Sequence, residues 1–244
     1  VGLANYAALL KDPKLGQFTW NTLYFVILTV PVGIFIALIL AALLNNKIRG
    51  RDIYRGIYFL PMVVAPAAVA MVWKWIFNSD NGVLNLVLSK IGIQGPTWLS
   101  NPNTALLSCA IINIWSAVGY DLVMILAGLQ SISKSYYEAA EIDGANAVQS
   151  FRHITIPLIS PTLFFVVMMR AMSALKQFDT VYLLIKSNNP AYNKGMTLMT
   201  WFYREAFEKF DKGFGSVIVL YSFILISIFT MIQFIAEKKL VHYE

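Results

Sequence analysis

Charged side chains are scarce in this sequence: Asp, Glu, Lys and Arg supply 13% of 244 residues, about half the roughly 25% of an ordinary soluble domain. That shortage excludes a globule clothed in water. With 58% hydrophobic residues and a mean hydropathy of +0.62, the surplus apolar surface must face lipid. The net charge of +6 does not indicate nucleic acid, because the basic residues sit between long apolar runs rather than along a soluble face. Cysteine is nearly absent. Cys109, inside an apolar run, excludes an intrachain disulfide and reads as a small packing residue. No G-x4-G-K-[ST] segment occurs, so nothing cradles phosphates and the chain does not itself hydrolyse ATP. No nucleophile or metal set lies near a membrane face, so no catalytic residue and no metal ligand are assigned. Glu138, Glu141, Asp143 and His153 match no metal-ligand spacing, and with Lys134 and Arg152 beside them they read as a solvated or docking surface. An ion-coupled carrier wants several intramembrane carboxylates and repeated halves; only Asp121 lies deep here, and no repeat is evident.

What is present in quantity is apolar helix. A bilayer core needs roughly 20 apolar residues in a helix, and five stretches qualify: 19–44, 56–77, 104–129, 154–175 and 213–236. They are too continuously apolar for barrel strands. Pro31, Gly33, Pro61, Pro66, Gly119, Gly128, Pro157 and Pro161 fall within them, where such residues kink helices, permit close approach or are simply tolerated. Lys47, Arg49, Arg51 and Arg55 crowd the first short linker and place it in the cytoplasm. Alternation then puts 78–103 and 176–212 outside, and 130–153 and the basic tail from Glu237 inside. The opening stretch, up to Gln17, reads as a polar loop lying outside. A chain whose N-terminus starts in the cytoplasm needs one more span upstream, so a sixth helix is expected.

One cytoplasmic segment, 131–157, is polar yet reads as structured. Ser135 and Glu138 have capping-box spacing, Ala139 and Ala140 favour helix, and Asp143 and Gly144 mark its end. A second short helix is expected to begin near Ala145 or Asn146. Val148, Phe151 and Ile154 recur at three-residue spacing, and Pro157 is suited to open the next span. Two short helices about a bare Gly corner make either a knob for a cleft in a partner or an amphipathic segment lying on the membrane.

Glu138, Ala139, Ala140, then Gly144 after three residues and Ile154, Thr155, Ile156 and Pro157 after nine more, resemble the EAA motif of bacterial ABC importer permeases. Ile156 stands where the family has Leu. The similarity extends over nearly the whole chain and is strongest to carbohydrate-uptake permeases of the maltose and glycerol-phosphate type. It includes Asn21, Thr22 and Leu23, the Phe59, Leu60, Pro61 run, Asp143 and Phe151, and Gln177, Phe178 and Asp179. One departure is Asn188, Asn189 and Pro190 where that subgroup has Gly-Gly-Pro; Asn is the next best residue for positive φ, so the turn is expected to survive. The resemblance implies an all-α membrane protein, a type I ABC importer permease bundle forming one transmembrane domain over 1–244, with 130–157 as its cytoplasmic coupling loop. It places this chain in the bacterial cytoplasmic membrane and implies a second permease subunit, two cytoplasmic ATP-binding subunits that use ATP and Mg, and an extracytoplasmic solute-binding protein. This chain itself would bind no cofactor. Glu138, Ala139, Ala140, Asp143, Gly144, Phe151, Ile154 and Pro157 would form the coupling site. The solute would be a sugar, with amino acids, polyamines or ions as the alternative.

Asp121 and Arg170 lie well inside their spans and are expected to face the bundle interior, a solute path or a partner. Counted from the cytoplasmic ends, Arg170 stands about 9 Å higher at 1.5 Å per residue, which disfavours direct pairing. Sugars are held by planar hydrogen-bonding groups and aromatic faces, so Asn113, Trp115, Tyr120, Asp121, Gln177 and Tyr182 are the substrate-path candidates. Trp20, Trp73, Trp75, Trp98 and Trp201 fall near span ends and read as interfacial anchors.

Overall fold

The computed structural model describes residues 2–46 and 49–241, the side chains of 239 and 240 excepted. Lys47 of the basic linker and residues 242–244 of the tail lie outside them. Every regular element among the described residues is helical. In chain order these are α1 (Ala4–Lys11), α2 (Lys14–Asn45), α3 (Arg51–Val63), α4 (Pro66–Ile76), α5 (Val83–Lys90), α6 (Ala105–Ser131), α7 (Lys134–Ile142), α8 (Ala147–Ser150), α9 (Ile156–Leu175), α10 (Asp179–Leu184), α11 (Tyr192–Gly195), α12 (Leu198–Tyr203) and α13 (Lys212–Leu240). Single π turns, Phe151–Thr155 and Arg204–Glu208, follow α8 and α12.

Four helical runs are long and apolar enough to cross a membrane, and α3 with α4 make a fifth if counted as one broken span. The expected span 56–77 is therefore not one helix. Pro66 cannot donate to the ladder and biases the residue before it away from helix; Ala65 is accordingly extended (φ −55°, ψ 132°) and Pro66 starts α4 at its first position. The opening segment, read as a loop, contains α1, which is anchored by the buried Leu9.

The chain forms two compact units. The first takes residues up to Thr29, Val64–Ile114 and Met172–Ile228. Its core joins Leu9 and Phe18 to Met196, Leu198 and Trp201 of the 176–211 segment, expected to lie outside, and to Val217 and Ile218 of α13. Trp201 is 1% exposed, edge-on to Phe18 at 5.0 Å and to Phe214 at 5.8 Å, so it is a core residue and not an interfacial anchor. Hydropathy alone does not separate a Trp at a span end from one folded back under a loop. Trp20 and Trp75, by contrast, are exposed.

The second unit takes Val30–Val63, Trp115–Ala171 and the chain from Phe229 onward. Ala37, Ala41 and Leu44 of α2 pack with Val118, Leu122, Ile125, Leu126 and Leu129 of α6 and Ile159 and Val166 of α9. Gly33, Ala37 and Ala41 recur every four residues on α2, the small-residue stripe that lets apolar helices approach closely. Gly119 of α6 lies so near α3 that a Cβ there would run into the Tyr58 carbonyl. Gly128 lies against α9, where a Cβ would come 2.7 Å from Thr162 Oγ1.

Candidate coupling loop and solute path

The 130–157 loop builds its shape from local hydrogen bonds, all within the second unit. α7 is capped by Ser133, two residues before the expected Ser135: the Ser133 side chain accepts from the Ser135 N–H (3.4 Å). Glu138 is thereby released from a capping role and is exposed. At the other end, Ala145 N–H donates to Ala140 O (2.9 Å) and Gly144 N–H to Glu141 O (3.1 Å). These two bonds define the Schellman ending, whose penultimate residue must be left-handed. Gly144 has φ +75°.

α8 opens where expected. Asn146 and Gln149 exchange side-chain-to-backbone bonds of 2.9 and 2.8 Å, a complete capping box. The Tyr137 hydroxyl meets Thr155 Oγ1 at 2.9 Å and ties the two arms together. Pro157 does not open the following helix, as its sequence position suggested. The helix runs through it, and the π turn Phe151–Thr155 precedes it directly, with Ile156 N–H bonded to Phe151 O. In a regular helix the proline ring would collide with the carbonyl four residues back; the widened turn relieves that contact. The same extra residue breaks the three-residue stripe. Val148 is 75% exposed and Phe151 37%, whereas Ile154 is half-buried.

The surface so formed carries Glu138, Ala139, Asp143 and Gly144, all exposed, together with Ile142, 87% exposed. Ala140 is turned inward and buried. A cleft of about 430 Å³ lies at the base of the loop, bordered by Asn45, Leu129, Tyr137, Glu141, Phe151 and Thr155. Ile142 and Val148 are thus exposed apolar side chains on a capped corner that also carries Glu138, Glu141 and Asp143.

The substrate-path candidates divide between the units. Trp115, Tyr120 and Asp121 belong to the second. There Asp121 Oδ2 and Arg170 Nε stand 3.5 Å apart, both nearly inaccessible. The expected mismatch in height is wrong because it assumed that the cytoplasmic ends of α6 and α9 are level. Contact between Gly128 and Thr162 sets the register instead. Seven residues up from that point on each antiparallel helix, about 10 Å, are Asp121 and Met169, which brings Arg170 beside Asp121. Gly33 of α2 completes the arrangement: a Cβ there would meet Arg170 Nη2 at 3.5 Å, ordinary van der Waals contact, so the guanidinium lies close over this glycine.

In the first unit Asn113 Nδ2 donates to Gln177 Oε1 (2.9 Å). Tyr182 is one turn further on, stacked on Phe178 at 4.9 Å. The outer segment that follows is pinned by residues the sequence did not single out for this role. Asn21 Nδ2 donates to Lys194 O and Met196 O (2.7 and 2.8 Å), and Thr22 Oγ1 accepts from Leu198 N–H (3.0 Å). Asn188 and Asn189 do not adopt positive φ; among described non-Gly residues only Phe210 does. Asn189 works through its side chain, accepting from Ala191 N–H (2.8 Å) and donating to Leu99 O (3.0 Å), bonds that glycine has no group to make. Glu205, buried, accepts from Trp201 Nε1 (3.0 Å), Arg204 Nη2 (2.9 Å) and Lys209 Nζ (3.0 Å). Burial pushes its carboxyl up, but hydrogen bonds from Lys209 and Arg204 and their charges outweigh this and hold it below the usual glutamate value.

Residues 13–242 match the family described as binding-protein-dependent transport system inner membrane component. The arabinooligosaccharides transport system permease protein AraP of Bacillus subtilis (strain 168) is 32% identical over 96% of this chain and 74% of its own length. The trehalose/maltose transport system permease protein MalF of Thermococcus litoralis is 32% identical over 95% of this chain and 78% of its own. A crystal structure of a bacterial ABC transporter that imports the acidic polysaccharide alginate contains a chain of the same fold. It superposes with a TM-score of 0.90 at 23% identity, covering 99% of this chain and 85% of that one.

Proposed function

Because the chain belongs to the inner-membrane component family of binding-protein-dependent transport systems, we propose that it is the permease through which an ATP-driven importer passes a sugar or sugar oligomer across the bacterial cytoplasmic membrane. It is a transport subunit and not an enzyme. The sugar assignment is supported by relatives named for arabinooligosaccharides and trehalose/maltose and by the amide and aromatic groups Asn113, Gln177 and Tyr182 gathered in one unit.

The observation that carries the mechanism is the corner at Gly144, held by a Schellman ending on one side and a capping box on the other, with Glu138, Ala139 and Ile142 exposed. In the proposed complex this corner docks on one of two ATP-binding subunits, which use ATP and Mg. Glu138 hydrogen-bonds or ion-pairs with the ATPase surface, and Ala139 leaves room for close packing. A second permease subunit and an extracytoplasmic solute-binding protein complete the importer. Closure of the ATPase pair on nucleotide moves the corner as a rigid body, because its shape is fixed by short-range bonds. That motion biases the helices between inward and outward access, which requires two packings of similar free energy.

The test is reconstitution of the permeases, ATPase and binding protein in liposomes, with ATP-dependent uptake measured for maltose, arabinotriose and lactose against amino acids. Uptake of an amino acid and of none of the sugars refutes the solute class; uptake that persists without the ATPase subunits refutes the mechanism.

A further inference from the structure

Phe178, Tyr182 and Tyr203 form a triangle of rings in the first unit. Their centroids are 4.9, 4.7 and 5.0 Å apart. Phe207 extends it, stacked on Tyr203 at 5.2 Å, and Phe202 stands edge-on to Phe207 at 5.8 Å. The rings come from two separate segments of the outer loop. Unlike Trp201, which is sealed in the core, they are only half-buried, and Phe207 is 53% exposed. Tyr182 and Tyr203, edge-on to each other, each add a phenolic hydroxyl, and the amide of Gln177 precedes Phe178 directly in the chain. Apolar rings, two of them carrying hydroxyls, match the two-sided chemistry of a sugar, whose C–H face stacks while its hydroxyls hydrogen-bond. Arg204 and Lys209, the cations on the adjoining turn, are both drawn onto Glu205, so the rings are not accompanied by an uncommitted positive charge from that turn. Several ring-widths across, the patch suits a chain better than a single ring.

We infer that Phe178, Tyr182, Tyr203 and Phe207 form a stacking platform on the outer segment for neutral oligosaccharide chains, separate from the Asp121–Arg170 pair of the second unit. This rests on the sugar reading above and adds to it a place and a charge class. The bland rival is an aromatic belt that meets lipid.

The experiment uses the complete importer in nanodiscs with Glu208→Cys, an exposed neighbour whose carboxylate accepts from the Tyr192 hydroxyl (3.4 Å) and is bonded to none of the four rings of the platform. Native Cys109 is fully buried, so maleimide labelling of the permease band reads position 208. Maltotriose or arabinotriose at millimolar concentration is expected to slow labelling saturably, by about tenfold at most. Adding Tyr182→Ala should abolish protection, whereas Tyr182→Phe, which keeps the ring and the packing, should retain most of it. Any of three results overturns the inference: neither trisaccharide protects, protection survives Tyr182→Ala with Tyr203→Ala, or trigalacturonate protects as well as the neutral sugars. Quenching of a Trp introduced by Phe207→Trp with brominated lipid, without any response to sugar, likewise assigns the patch to lipid. Uptake by the parent importer is scored separately, so loss of the platform and loss of the sugar assignment remain distinguishable.

Discussion

Replacing Gly144 by Ala, Asn and Leu in turn separates what the backbone needs at the coupling corner from what a partner needs. The residue is left-handed, with φ +75°, and a Cβ built on it meets nothing within 4 Å. Within the subunit the cost of a side chain is therefore conformational and not steric. A non-Gly residue pays roughly 1–2 kcal/mol in this region, about 5–30-fold in the population of the native turn, and Asn pays least because it enters this region most readily. On backbone grounds alone Ala and Leu should be equally impaired. If the corner sits in a cleft of the ATPase, Leu also overpacks the interface, at about 1–3 kcal/mol more, so its uptake should fall about fivefold or more below that of Ala. Asn should lie nearest to wild type unless the cleft is tight. The assay is ATP-dependent uptake in proteoliposomes, together with co-purification of the ATPase subunits on the tagged permease and confirmation of membrane insertion. Leu and Ala variants of equal activity would show that no partner covers the corner. Undiminished uptake by Leu would falsify the coupling role altogether.

Other consequences are open to the same preparations. Asp121→Asn or Arg170→Met alone should destabilise the permease by about 3–5 kcal/mol, as breaking a buried pair does, while a double change to Leu and Met should recover much of the loss in thermal unfolding; additive losses would contradict the pairing. Gly119→Ala should cost stability by forcing α6 away from the Tyr58 carbonyl, whereas Gly56→Ala, which meets nothing within 4 Å, should be nearly silent; equal melting temperatures for the two variants would refute this packing. Glu205 has a depressed folded-state pKa, so its contribution is present above the ordinary glutamate range and is lost as pH falls through the folded value. Glu205→Gln should therefore flatten the decline in melting temperature below about pH 5 and leave it unchanged above, and an unchanged slope in the acid range would contradict the assignment. Asn189→Gly should loosen the outer segment by removing two side-chain bonds, read as faster amide exchange at Ala191; unaltered exchange there would show that the side chain does not hold the turn.

The conformation of the 131–157 loop was legible because its structure is local. Gly144 and Asn146 announce a left-handed corner and a cap within a few residues, and those bonds form whatever surrounds them. The cap at α7 was misplaced because Ser133 and Ser135 are both competent, and only the backbone path chooses. Pro157 was misread for a related reason: proline opens helices but also tolerates a widened turn before it, and the outcome depends on what holds the preceding residues. Pro66 acted in the opposite sense, dividing a run that hydropathy shows as continuous.

Composition and motif spacing were enough to establish a lipid-embedded helical permease with a capped glycine corner, since burial of apolar runs and backbone caps are properties of short stretches of chain. Tertiary packing alone decided that Asp121 and Arg170 meet, that Trp201 is core, and that the rings of two loop segments join. Each depends on helix register or on the return path of a loop. Both are set by contacts between residues distant in sequence, such as Gly128 against Thr162 and Asn21 against the carbonyls of Lys194 and Met196.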